Sequence, residues 1–117
     1  MTNTATALCQ FFSQFLPAYV EGSVPDEAEM PYITYRLAEP NWDSEVQIYT
    51  RVWYRVTSFA AICQTVDRIE AVAGSGVTLT VNNQLVALIP DEIFSQFTPS
   101  NDPLIKMAYL SFTMHVV

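Results

Sequence analysis

The N-terminal segment carries apolar residues at helical spacing. Residues three or four positions apart fall on one side of a helix, and this stripe contains Leu8, Phe11, Phe12, Phe15, Leu16 and Tyr19. The pattern predicts a first helix that Asn3 or Thr4 can cap and that Pro17 should kink or end. Two prolines and four acidic residues follow between Glu21 and Pro31, a composition that predicts an exposed, mobile loop.

Apolar and polar residues alternate after this loop, as they do in strands. We expect a hairpin with strands over Tyr32 to Glu39 and Ser44 to Thr57, joined by a turn at Pro40, Asn41 and Asp43. The second strand should point an apolar set of side chains toward the core, namely Val46, Ile48, Val52, Tyr54 and Val56. The opposite face would carry a stripe of aromatic residues and arginines, namely Tyr49, Arg51, Trp53 and Arg55.

The middle of the chain predicts a second helix followed by a second hairpin. Ser58 can cap this helix and Gly74 can end it. Its buried side would contain Phe59, Ile62, Cys63, Val66, Ile69 and Ala73. The segments from Val77 to Val81 and from Leu85 to Ile89 then read as strands, with a turn at Asn82 and Asn83, two residues that tolerate positive φ.

The C-terminal third predicts a short helix, a polar loop and a closing strand. The short helix would run from Asp91 to Phe97, and the loop from Thr98 to Pro103. In the final strand, from about Leu104 to Val117, the core side would carry Leu104, Ala108, Leu110, Phe112, Met114 and Val116, with Lys106 as an exception. Its opposite face would carry Ile105, Met107 and Tyr109, which is too much apolar surface for free solvent.

These elements predict an α+β fold in one domain spanning residues 1–117. Their order is α-β-β-α-β-β-(short α)-β. Two adjacent hairpins and two longer helices favour a mostly antiparallel sheet with both main helices packed on one face.

Composition favours assembly with other chains. Hydrophobic residues make up 50% of the 117 residues and charged residues only 15%, against about 25% charged residues in typical soluble domains. Some of the apolar excess should therefore form surface patches that partners cover.

The net charge narrows the range of expected partners. Twelve acidic and five basic residues give a formal charge of −7, which repels nucleic acid and acidic membranes. Cys9 and Cys63 are too few for a disulfide scaffold and fit a reducing cytoplasm. The segment from Met1 to Thr6 carries no basic residue and the stretch from Ala5 to Val20 is short for a bilayer span, so we expect a soluble protein without membrane contact.

Candidate catalytic groups are few. His115 is the sole histidine, and its neighbours in the last strand suggest no triad or zinc ligands. Asp26, Glu27 and Glu29 could hold a cation or act as an acid/base pair, but calcium loops need a glycine turn where this segment has prolines, and a solvated acidic loop is favoured. Ser75 lies between two glycines that follow a helix rather than opening one, which disfavours phosphate binding. We expect no enzyme activity, catalytic residue, metal ligand or cofactor.

The stripe on the long strand is the most informative pattern. Aromatic residues alternating with arginines can stack on single-stranded nucleic acid, can pack inside a covered sheet, or can form a subunit interface, where Trp, Tyr and Arg are enriched. The acidity of the chain disfavours the first reading. The hypothesis of an oligomer interface assigns to it Tyr49, Arg51, Trp53, Arg55, Ile105, Met107 and Tyr109.

The order of these features resembles a known group of virus proteins. The capped helix, the acidic loop with prolines, the run from Met30 to Tyr35, the long aromatic strand, the helix from Ile62 to Ala73 and the closing hydrophobic strand are similar to small tail-completion proteins of long-tailed bacteriophages. The tail terminator group is most similar, with head–tail joining proteins as relatives.

The resemblance implies a structural virion protein, assembled in the host cytoplasm and located in the tail. Copies would form a ring, usually a hexamer, that caps the tail tube protein and docks the head connector or stopper protein. DNA would pass through an acidic channel without tight binding. The alternative is a small intracellular ligand-binding protein or enzyme of similar layout, with a pocket between helices and sheet.

Overall fold

A computed structural model describes residues 4–36, 46–55, 59–99 and 102–116. Over these residues the chain is α+β, with two helices and a mixed six-stranded sheet. The elements are α1 (Thr4–Ser13), β1 (Ala18–Val20), β2 (Tyr32–Tyr35), β3 (Val46–Arg55), α2 (Ala60–Ala73), β4 (Val77–Val81), β5 (Gln84–Pro99) and β6 (Ile105–Val116). The strand order is β1-β2-β3-β6-β5-β4, and every neighbouring pair is antiparallel except the parallel pair β1–β2.

Strand alternation divides the sheet into two faces. Along β3, Ile48, Thr50 and Val52 are fully buried while Tyr49 and Arg55 are exposed, as the alternating pattern predicts. The buried sheet residues and the apolar sides of both helices form one hydrophobic cluster. Both helices therefore cover the same face of the sheet.

Helix α1 supplies much of the aromatic core. The Phe12 ring stacks on Tyr35 at a centroid distance of 5.7 Å and meets the edge of Phe112 at 5.9 Å. The helix ends at Ser13, so its expected continuation toward Tyr19 is wrong, although Phe15 is part of the buried core. Tyr19 instead lies in β1, because Pro17 cannot continue a helix and the segment after it pairs with β2.

The limits of α2 agree with its sequence signals where they are described. Gly74 is its C-cap, and the Gly74 N–H donates to the Glu70 carbonyl at 2.7 Å. Phe59 occupies the N-cap position without a side-chain hydrogen bond, and the expected cap Ser58 lies outside the described residues. The buried side contains Ile62, Thr65, Val66, Ile69 and Ala73.

Both hairpins form, although only one turn is described. Asn82 and Asn83 have φ values of 50° and 68° between β4 and β5, which confirms the predicted turn. The other predicted turn, at Pro40, Asn41 and Asp43, lies outside the described residues, as do the expected strand ends at Leu37 to Glu39, Ser44 to Glu45 and Val56 to Thr57. Strand β3 pairs along its whole length with β6, from Val46 opposite Met114 to Arg55 opposite Ile105.

The short helix expected from Asp91 to Phe97 is wrong. This segment belongs to β5, which continues to Pro99 and pairs with β6 on both sides of a register shift between Pro90 and Ser95. The Pro-Asp-Glu sequence resembles a helix start, but a helix there would leave the β6 backbone between Leu110 and Lys106 without these hydrogen-bond partners.

Leu104 also departs from its expected place in the core. It lies in the turn before β6 and is exposed. Its N–H donates to the Asp102 carboxylate at 2.9 Å, which closes the turn one residue before the strand begins. Within β6 the predicted core residues Ala108, Leu110, Phe112 and Met114 are all fully buried.

Candidate functional site

The sheet surface opposite the two helices is hereafter called the outer face. All seven residues proposed for the interface lie on it, because β3 and β6 are paired in the register that aligns them. Arg51 lies opposite Tyr109, Trp53 opposite Met107, and Arg55 opposite Ile105. On β3, Tyr49, Arg51, Trp53 and Arg55 form a row along this face, and Tyr49 lies opposite Ser111 of β6.

Arg51 lies at the centre of a network of charged and aromatic groups. Its guanidinium is 3.0 Å from the Glu21 carboxylate and 4.8 Å from the centroid of the Tyr109 ring. Arg36 approaches the same carboxylate at 3.7 Å and lies over the Tyr49 ring at 5.4 Å. One carboxylate thus orients two arginines, and each arginine lies against a tyrosine of the sheet.

Trp53 is held in one orientation on this face. Its indole N–H donates to the hydroxyl of Thr34 on β2 at 2.9 Å, and Tyr32 lies opposite Trp53 in the β2–β3 register. The Trp53 side chain is half-buried. A tryptophan with a satisfied N–H and an accessible ring is suited to anchor a partner.

The outer-face residues near the start of β6 and the end of β3 differ in exposure. Met107 is buried and Ile105 is half-buried, so less apolar area is accessible there than the sequence predicts. Arg55 is exposed and its guanidinium lies 3.7 Å from the Asp102 carboxylate.

Two aliphatic residues that sequence reasoning missed extend the outer face onto β5. Leu85 and Ile89 are 56% and 38% exposed, compared with 42% for Tyr49. They alternate with the buried Val86 and Leu88, which places them on the outer face. The sequence of β5 does carry a signal for this, because apolar residues on both faces of a strand predict that both faces are covered.

The outer face is close to neutral in a strongly acidic chain. It holds three of the five basic residues, Arg36, Arg51 and Arg55, and Glu21 and Asp102 pair with them. Since the whole chain carries −7, a second copy meets little charge repulsion on this side.

A shallow depression lies around the arginines, with a volume of about 260 Å³. Its walls combine two tyrosine rings, two guanidinium groups, one carboxylate and one hydroxyl, from Glu21, Thr34, Arg36, Tyr49, Arg51 and Tyr109. These groups can stack and form hydrogen bonds with a partner surface.

A groove of about 360 Å³ lies between α1 and β4. It is lined by Ala7, Gln10, Phe11, Gln14, Val77, Thr78, Leu79 and Thr80, none of which is ionisable.

The remaining chemical candidates do not line the depression or the groove, although His115, opposite Ala87, lies on the outer face. His115 is on β6, and its Nδ1 is buried without a hydrogen-bond partner in the described part of the chain. Asp26, Glu27 and Glu29 are exposed. Cys9 and Cys63 are free thiols. Among the described residues, no group of three or more His, Cys, Asp or Glu side chains is placed to hold a metal ion.

One core phenol is strongly perturbed. Burial raises the pKa of Tyr35 to about 12, and the nearby Cys9 thiol contributes in the same direction. The Tyr35 hydroxyl donates to the Ala5 carbonyl at 3.1 Å. Tyr35 is therefore protonated at neutral pH and links β2 to α1.

Neither helix in the described ranges has the length and apolar character needed to cross a membrane. No family model matches the chain, and no curated protein or solved structure is found to be similar to it.

Proposed function

We propose that the chain is a structural subunit that assembles with copies of itself through the outer face. The observation that carries this proposal is the accessible row of Tyr49, Arg51 and Trp53 on β3, which shares one face of the sheet with the exposed Leu85 and Ile89 of β5. Interfaces are enriched in Trp, Tyr and Arg at their centres. The row has these residue types, the Trp53 N–H and the Arg51 guanidinium are already paired, and Glu21 neutralises part of the arginine charge.

We further propose that the assembly is the tail terminator ring of a long-tailed bacteriophage. The order of sequence features supports this role, and the alternation of β3 and β6 that belongs to the resemblance coincides with the outer face. A ring, as a hexamer, would cap the tail tube and dock the head connector. The net charge of −7 suits a channel through which DNA passes without adhering.

Self-association is tested by mass photometry and negative-stain microscopy of the purified protein. We expect one discrete species with a mass six times the 13.2 kDa of the chain, and ring-shaped particles with a central channel. A single-chain mass at micromolar concentration, or open filaments of variable length, would contradict a closed ring.

The place in the virion needs a separate experiment. Gold-labelled antibodies against the chain should mark the junction of head and tail on intact phage particles. Label along the whole tail, or on none of the particles, would contradict the terminator role while leaving ring formation intact.

A further inference from the structure

The edge of the sheet formed by β4 is the second feature suited to binding. Strand β4 is the last strand in the sheet order, so among the described residues no strand lies beside one side of its backbone. The two-residue turn at Asn82 and Asn83 makes Val81 and Gln84 the closing hydrogen-bonded pair of the hairpin. Hydrogen-bonded pairs alternate along an antiparallel ladder, so the N–H and C=O groups of Thr78 and Thr80 point away from β5.

The opposite edge of the sheet is closed by local contacts. Pro17 and Glu21, which flank β1, hydrogen-bond to β2 through their backbones. The N–H and C=O groups of Ala18 and Val20 therefore point away from β2. The Val20 carbonyl accepts the N–H of Ser23 at 2.9 Å, and the Ala18 carbonyl faces the Cys9 thiol at 3.8 Å. No comparable bond to Thr78 or Thr80 is found among the described residues.

The groove beside this edge fits an extended segment. Its lining includes the outward Thr78 and Thr80 as well as the inward Val77 and Leu79, so it runs along the edge of β4 rather than over one face. The opposite wall belongs to α1 and the turn after it, where Gln10 and Gln14 are exposed and Phe11 is only 4% exposed. A strand lying here would hydrogen-bond to β4 and point alternate side chains toward α1.

The composition of β4 also distinguishes it from protected edges. Natural edge strands commonly carry a lysine, a proline or a bulge that prevents further pairing. The sequence from Val77 to Gln84 contains no charged residue and no proline, and β4 pairs with β5 without a register shift.

We propose that the groove between β4 and α1 binds an extended, uncharged peptide segment of a partner protein by strand addition. The segment carries apolar side chains at alternate positions, which pack on the half-buried Val77 and Leu79. Its backbone pairs with the N–H and C=O groups of Thr78 and Thr80, which lie about 7 Å apart along the strand. The site lies at the β4 edge, three strands from the Tyr49, Arg51 and Trp53 row on β3, and does not depend on ring formation.

The test measures amide hydrogen exchange of the full chain with and without a short peptide. The peptide alternates threonine and valine and is acetylated and amidated at its ends. We expect the peptide to slow exchange at Thr78 and Thr80 and to leave exchange in β3 and β6 unchanged. The same peptide N-methylated along one edge should give no protection, because it cannot pair with β4. Unchanged exchange at saturating peptide, or equal protection by the methylated peptide, would overturn the proposal.

A matched pair of variants isolates the edge. Thr80→Pro removes an N–H that points away from β5, so the hairpin ladder remains, and peptide affinity should fall about tenfold or more. Thr80→Val keeps the N–H and should bind as the wild type does. If Thr80→Pro fails to fold, Thr80→Lys replaces it and should weaken binding. Equal affinity in the folded variants, or protection that grows with protein concentration alone, would contradict a peptide occupant.

Discussion

The indole N–H of Trp53 donates a hydrogen bond to the Thr34 hydroxyl at 2.9 Å, across the β2–β3 pair. Thr34 is buried by this contact while the Trp53 ring remains half accessible. The bond fixes the plane of the ring before any partner arrives, so less side-chain entropy is lost on association. The proposed anchor of the interface is therefore preorganised.

A buried hydroxyl in β3 offers a test of the core. Thr50 is fully buried between Tyr35 and Leu110, and its Oγ1 has no hydrogen-bond partner in the described part of the chain. Replacing it by an apolar group of the same shape removes an unsatisfied polar atom, so Thr50→Val should raise the free energy of unfolding by up to about 1 kcal/mol. Urea denaturation measures this change.

Thr65→Val is the matched control. The Thr65 hydroxyl lies 2.6 Å from the Tyr54 hydroxyl and is buried, so the same substitution breaks a bond and should lower the free energy of unfolding by about 1 kcal/mol or more. If the free energy of unfolding changed in the same direction in both variants, hydrogen bonding of the threonine hydroxyl would not determine the effect of the substitution.

Alkaline pH should destabilise the fold through Tyr35. Its pKa is raised to about 12 by burial, against about 10 in the unfolded chain. Between these values the unfolded chain loses the proton and the folded chain keeps it, so the free energy of unfolding falls as pH rises through this window, by on the order of 2–3 kcal/mol. Below about pH 10 this group has no effect.

Urea denaturation of the wild type and of Tyr35→Phe, at several pH values across this window, measures that contribution. The variant lacks the ionisable group, although it also loses the hydrogen bond to Ala5, so its stability should be lower at neutral pH and fall less steeply with pH. Parallel pH profiles would rule out Tyr35 as the source.

The loop between β1 and β2 should respond to assembly. Glu21 is anchored by Arg36 and Arg51, but the exposed segment from Gly22 to Glu29 has little apolar surface to bury. Hydrogen exchange in this segment should be rapid in dissociated chains and slower in rings. Strong and equal protection in both states would mean that the domain itself orders the loop.

The arginines of the outer face should not confer DNA binding. Glu21 neutralises part of the charge of Arg36 and Arg51, and Lys106 is the only lysine of the chain. We expect no shift of single-stranded or duplex DNA in gels at physiological salt. Micromolar binding that weakens with added salt would contradict both this expectation and the acidic channel.

Local sequence patterns predicted which residues share a face of a strand better than they predicted where the helices and strands begin and end. The alternation in β3 and β6 and the turn at Asn82 and Asn83 depend on neighbouring residues, and these features are present. Strand β1 was missed because its parallel pairing with β2 joins distant segments, such as Ala18 and Ile33, which no local period reveals. The short helix failed for the same reason, since contacts with β6 outweigh a local helix-start signal.

The candidate site was predictable only where alternation within a single strand assigns its residues to one face. The residues of β3 and β6 were assigned to one surface from their alternation. The apolar run in β5 indicates that both of its faces are covered, but only the β5–β6 register shows that Leu85 and Ile89 share a surface with the β3 residues. The arginine network was missed as well, because Glu21 reaches Arg51 from a loop 30 positions away in the sequence.

The most direct test of self-assembly through the outer face compares Trp53→Glu with Trp53→Phe by light scattering, alongside thermal melting. Both variants lose the bond to Thr34, which should cost about 1–2 kcal/mol of stability, but only Trp53→Glu places a charge in the interface. We predict that Trp53→Phe forms the wild-type assembly and that Trp53→Glu melts cooperatively as a dissociated chain. A Trp53→Glu chain that assembles like the wild type, or one that unfolds where Trp53→Phe does not, would contradict an interface centred on Trp53.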